Sequence, residues 1–160
     1  MNLKQMAANT LLVGSVSTVT TTIAAIMGGL IDAGKGLAPL NAISHIAWGG
    51  DPPAHSGKGQ INSWMGLLLH AGASVFWAAI FESVFGRYAR QTPGRISAAS
   101  TATAAAAYIT DYYVVSKRFR PGYEAYLSRK SMFGVYAALA AGIALGAALT
   151  RFDHHKIKDR

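Results

Sequence analysis

The chain contains no cysteine, which excludes disulfides, thiolate metal sites and thiol catalysis. Acidic residues are scarce: seven Asp and Glu against fifteen Lys and Arg, for a net charge of +8 over 160 residues. Charged residues make up 14% of the chain, where soluble domains carry about a quarter. Motifs of soluble enzymes are missing too. There is no phosphate-cradling Gly-rich loop, no nucleophile elbow and no Ser-His-Asp arrangement, so the residues point away from catalysis. A pI near 10 on its own would fit nucleic acid or an anionic surface. Here the Lys and Arg residues lie between and after apolar runs, as they do in membrane proteins. No nucleic-acid partner is expected; a lipid bilayer is.

What the chain does have is long apolar stretches, with 51% hydrophobic residues and a mean hydropathy of +0.25. The strongest, 62–86, has no proline and Glu82 as its only charge. At about 1.5 Å per residue it reaches past the ~30 Å hydrocarbon core of a bilayer. Residues 10–33 form a second run, longer and richer in Thr and Ser than a signal-peptide h-region, and are read as a retained span. Residues 96–116 are almost all Ala, Ser and Thr, a weak span that makes sense in a bundle centre. A fourth run covers 131–150 and leaves a polar tail at 151–160. The expectation is a single all-α membrane domain, a four-transmembrane-helix bundle. Pro39 and Gly49 bracket a short helix in the first loop, expected to lie on or dip into the interface.

Two rows of small residues suit close helix packing: Gly14 and Thr18 on the first span, and Gly134, Ala138, Gly142 and Gly146 on the last. An even number of spans puts both termini on one side. The Lys and Arg residues divide almost evenly between the two sides, and the Pro/Gly-rich first loop tilts the termini towards the cytoplasm.

That topology gathers polar groups at one end. Asp32 closes the first span, His70 lies about 12 Å inside the second, and Asp111 ends the third. His45, Asp51 and His55 belong to the adjoining loop. Gly66, His70, Ser74 and Trp77 share a helix face. An ionisable group inside a membrane is costly and turns to a partner. For His70 that partner is Ser74, a threonine of the first span or a loop carbonyl; the functional alternatives are a metal or haem ligand, a quinone contact or a proton relay. His45 and His55 are candidate co-ligands without a recognised metal spacing, and His154 and His155 form a weak pair in the tail. Asp111 and Arg118, seven residues apart, read as an ion pair. At the opposite end Glu82 is expected to form an interface salt bridge with Arg87 or Arg90. The tyrosines at 108, 112, 113, 123 and 126 fit an aromatic belt.

Three stretches taken together carry a resemblance: APLNAISHIAWG at 38–49, GLLLHAGASVFWAAIFE at 66–82 and DYYVVSKRFRPGYEAYLS at 111–128. In this order they resemble a family of small bacterial inner-membrane proteins with four predicted helices and no assigned activity. The family pattern falls on residues that include Asn41, His45, Trp48, His70, Ser74, Glu82, Asp111, Arg118 and Glu124. Ala71 departs from it, where the family often has a second histidine beside His70. The resemblance implies location and architecture and brings no activity with it.

The function expected is a non-enzymatic accessory, assembly or interaction component of a membrane complex, partnered by itself or by another membrane protein. The alternatives are an oligomeric proton-coupled small-solute transporter using His70 and Asp111, and a haem-, metal- or quinone-binding redox protein centred on His70 and His45. No cofactor is called for by the residues themselves.

Overall fold

A computed structural model describes residues 2–51 and 59–158, with 152–158 as backbone only. Every regular element among them is helical. Helix α1, Leu3–Ala33, starts at Asn2, whose side chain accepts the Gln5 N–H at 2.8 Å. It ends where Gly34 turns left-handed (φ 65°) and the N–H groups of Gly34 and Lys35 return to the carbonyls of Leu30 and Gly29. That closing pair satisfies carbonyls the helix would otherwise leave open. The helix begins earlier than the apolar run at 10–33 implies, because the Asn2 cap lies upstream of the hydropathy signal.

Two short helices follow, α2 (Ala38–Ile43) and α3 (His45–Trp48). They join to α4 (Gly59–Val84), α5 (Gly86–Ala89) and α6 (Pro93–Ile109). Thr92 caps α6 by accepting the Arg95 N–H, and Pro93 sits at its first turn. A π-helical turn, Thr110–Val114, closes α6 through the Val115 N–H to Thr110 carbonyl bond. Two 3₁₀ turns, Lys117–Phe119 and Tyr123–Ala125, lead into α7 (Arg129–Lys158). Helix α7 runs on through the stretch expected as a polar tail.

Among the described residues three helices are long and apolar enough to cross a membrane: α1, α4 over Gln60–Val84, and α7 over Arg129–Arg151. Helix α6, the fourth expected span, is not among them; it is 17 residues long and rich in Ala, Ser and Thr. Its place also differs from expectation. Helix α1 packs most extensively, against α7 and then α4, while α6 packs chiefly on α7 and more lightly on α4 and α5. So α6 lies at the edge, with Ile96, Ala99, Ser100, Thr103, Ala104 and Ala107 turned inward, and α1 takes the central position.

Close approach follows from missing side chains. A Cβ on Gly142 would lie 2.6 Å from the Cα of Ser17, and one on Gly146 would lie 2.7 Å from the Cα of Val13. Both glycines therefore seat α7 directly on the α1 backbone. Gly14 does the same against α4, where a Cβ would lie 2.8 Å from the Val75 Cα. Gly134, at the top of the same row on α7, meets open space. Thr20 ties the α1–α7 pair by donating its hydroxyl to the Ala138 carbonyl at 2.9 Å. Thr18 turns back to its own helix, onto the Gly14 carbonyl.

The first-loop helices pack into the protein rather than lying free on its surface. All residues from Ala38 to His45 are buried, because α2 packs against α4, α1 and the turn at Tyr123. Gly66 makes this possible: the Leu40 carbonyl oxygen occupies the space a Cβ there would take. Only Trp48, at the end of α3, emerges as an exposed aromatic. Leu40 and Ile43 join Ala25, Tyr123, Leu127 and Val135 in a small core at this end. The larger core, including Val13, Phe81, Ile96, Leu139 and Ile143, runs from Tyr136 towards the opposite end of the helices.

Candidate functional site

His70 is buried on α4 between α1 and the Tyr123 turn. Its Nε2 lies 2.8 Å from the Thr21 hydroxyl and its Nδ1 3.0 Å from the Tyr123 hydroxyl. The Thr21 hydroxyl donates to the Ser17 carbonyl at 2.6 Å, so its oxygen is left to accept from Nε2–H. Nδ1 then accepts from Tyr123, and the imidazole is neutral with both nitrogens engaged. Burial pushes the Tyr123 phenol above its ordinary range, with the Asp111 carboxylate adding to the effect, which keeps Tyr123 a donor. A metal or haem iron at His70 would have to displace one of these two partners. Among the described residues no three His, Asp or Glu side chains converge in a metal-binding group.

Asp111 sits on the π-helical turn, where its Oδ2 accepts the Tyr136 hydroxyl at 2.7 Å. It does not pair with Arg118. The helix stops at Val114, so the seven-residue repeat that would align the two is broken, and Arg118 instead reaches the Ile46 carbonyl at 3.4 Å. A cavity of about 160 Å³ is lined by His70, Ser74 and Asp111, with Trp77, Tyr123 and Tyr136 in its wall. Its wall is mostly apolar, and the few polar groups of Thr21, His70, Ser74 and Asp111 within it can hold ordered water.

Two of the grouped residues lie elsewhere. Asp32 is exposed and accepts the Ser128 N–H at 2.8 Å, tying the end of α1 to the start of α7. His45 is buried but donates Nδ1–H to the Ala42 carbonyl of the preceding helix α2 at 2.7 Å. Asp51 is exposed. His55 lies outside the described residues, as do the side chains of His154 and His155.

Glu82 occupies the other end. Arg90 grips it with Nη2 to Oε1 at 2.6 Å and Nη1 to Oε2 at 2.9 Å. The same guanidinium reaches the Gly86 carbonyl and the Thr150 hydroxyl, both at 2.9 Å. This is the one ion pair among the described residues, and both side chains are out of solvent, at 9% and 0% exposure. Arg87 is exposed and takes no part in it.

The tyrosines divide in a way the sequence does not show. Tyr123, grouped by sequence with an aromatic belt, is a buried hydrogen-bond donor to His70. Tyr108 and Tyr112 pack edge-on against Tyr136 of α7, with ring centroids 5.2 Å and 6.2 Å apart. Thr21, Tyr123 and Tyr136 are the site residues that sequence reasoning missed as specific partners. The threonine-rich face of α1 was the only signal pointing to any of them.

No family model matches the chain, and no match is found among curated proteins or solved structures.

Proposed function

We propose that this chain is a multi-pass protein of a bacterial inner membrane, with α1, α4, α6 and α7 as its four spans and both termini on the cytoplasmic side. It acts as a non-enzymatic interaction component, offering a helix-packing surface to a second copy or to another membrane protein. One contrast carries this reading. The outward faces of α1, α4 and α7 bear large apolar side chains, among them Leu11, Val19, Ile23, Leu68, Phe76, Phe133 and Leu145. The outward face of α6 bears Ala98, Ala102 and Ala106 at spacing four, all exposed. Large side chains suit lipid. A bare row of small ones gives acyl chains little to hold but lets another helix backbone approach closely, and helix–helix contact would offset the poor insertion of an Ala-rich span.

The test is a photo-crosslinking residue placed at 102 and, as a control, at 76, in native membranes. Position 102 is expected to give a protein adduct, either a dimer or a discrete heavier species, and position 76 only lipid adducts. Lipid adducts alone at both positions would sink the reading.

The cavity shared by His70, Ser74 and Asp111 favours a second reading, an oligomeric proton-coupled transporter, since water there would connect titratable groups. Vesicles under an imposed pH gradient distinguish the two. Flux abolished by Asp111→Asn supports transport, and its absence in the wild type leaves the interaction reading in place.

A further inference from the structure

An opening of about 1370 Å³ forms a groove between α6 and the first half of α7. Its wall is mostly apolar, with Ala104, Ala105, Ala137 and Ala140 set among larger side chains such as Tyr108, Met132, Phe133 and Tyr136. Its mouth carries Arg120, Arg129 and Glu124, with Tyr112 beside them. The Arg120 Nε is buried without a hydrogen-bond partner. A buried, unpaired guanidinium N–H is costly and rare in a finished structure, so the mouth is built for an acceptor that the chain itself does not supply. From Arg129 to Ala140 along α7 is about 16 Å at 1.5 Å per residue, close to half the ~30 Å hydrocarbon thickness of a bilayer. The groove thus has the depth of one leaflet, with charge at its outer end only.

We propose that this groove holds one phospholipid of the bilayer with an ammonium-bearing headgroup, as in phosphatidylethanolamine. The phosphodiester sits between Arg120 and Arg129, and supplies the acceptor that Arg120 Nε lacks; Arg–phosphate contacts are charge-assisted and directional. One acyl chain lies along the alanines. Glu124 explains the choice of headgroup: a carboxylate beside the phosphate site repels a purely anionic lipid and attracts an ammonium. Basic pockets between membrane helices hold lipid headgroups in the same way. The alanine row proposed to face a partner helix, 98, 102 and 106, lies beside this groove rather than in its wall, so both can be occupied together.

The inference rests on the membrane reading, and its test separates the two. The full chain is extracted in mild detergent, exchanged against equimolar phosphatidylethanolamine and phosphatidylglycerol, and weighed intact by native mass spectrometry. The wild type is expected to keep one phosphatidylethanolamine. Arg120→Ala is expected to lower that occupancy about tenfold, the scale of losing a hydrogen bond to a charged group. Glu124→Gln is expected to erase the preference over phosphatidylglycerol. Ala105→Phe fills the groove without touching the charges and is expected to expel the lipid while leaving the thermal transition of the protein in place. Unchanged occupancy in both Arg120→Ala and Ala105→Phe overturns the site, as does a wild type that keeps neither lipid or both equally. A chain that also washes from membranes at alkaline pH overturns the membrane reading with it.

Discussion

Arg90→Ala is expected to destabilise the protein by about 3–5 kcal/mol, the usual result of stripping one partner from a buried ion pair. The substitution strands the Glu82 carboxylate, whose side chain has 0% exposure, and cuts the links to the Gly86 carbonyl and the Thr150 hydroxyl. Those links join α4, α5 and the far part of α7, so the loss is not confined to one helix. Thermal unfolding in detergent reads the effect, with Arg87→Ala as the comparison. Arg87 is exposed, and a substitution there belongs in the range of about ±0.5 kcal/mol. Replacing both Glu82 and Arg90 by Met removes the charges together and is expected to recover most of the loss. Equal transitions for Arg90→Ala and Arg87→Ala would show that the pair contributes nothing to holding this end closed.

The second large effect belongs to the helix contact at Gly142. Gly142→Val places a branched side chain where the Ser17 backbone and the Thr20 hydroxyl already stand. Backbone cannot step aside as a flexible side chain can, so α1 and α7 must part and the Thr20–Ala138 hydrogen bond must stretch. Overpacking of this kind costs about 1–3 kcal/mol and occasionally more. Gly134→Val, eight residues earlier on the same helix, meets open space and is expected to change the transition by no more than about 0.5 kcal/mol. If the two variants unfold alike, the α1–α7 contact is not as close as it looks.

These two contacts show unequal visibility in the sequence. The three apolar helices are legible because hydropathy over a long window needs no knowledge of partners. The row at 134, 138, 142 and 146 is legible as a small-residue row, yet spacing alone cannot say that Gly142 and Gly146 touch α1 while Gly134 touches nothing. The burial of α2 was hidden for a similar reason. It depends on a notch at Gly66, which reads in sequence as one glycine in an apolar helix. For His70 a threonine of the first span was among the expected partners, and Thr21 is the one found. Tyr123 could not be anticipated, since it arrives from a loop 53 residues away. Asp32 and His70 both fall near one end of the helices, but position along an axis does not fix which way a side chain turns. Asp111 and Arg118 would align only on a continuous helix, and the π-helical turn at Thr110–Val114 ends it between them.

The pairing of α1 with α7 also sets an order of events. Thr20 and Ala138 are 118 residues apart, so the central helix of the protein meets its main neighbour last. At synthesis rates of roughly 5–20 residues per second, α1 waits about 6–24 s for α7 to emerge. During that interval α4 is present, but the Ser17–Thr20 side of α1 has nothing to pack on. A chain released early, or one whose last helix is delayed, would carry that side bare, open to any other small-faced helix within reach.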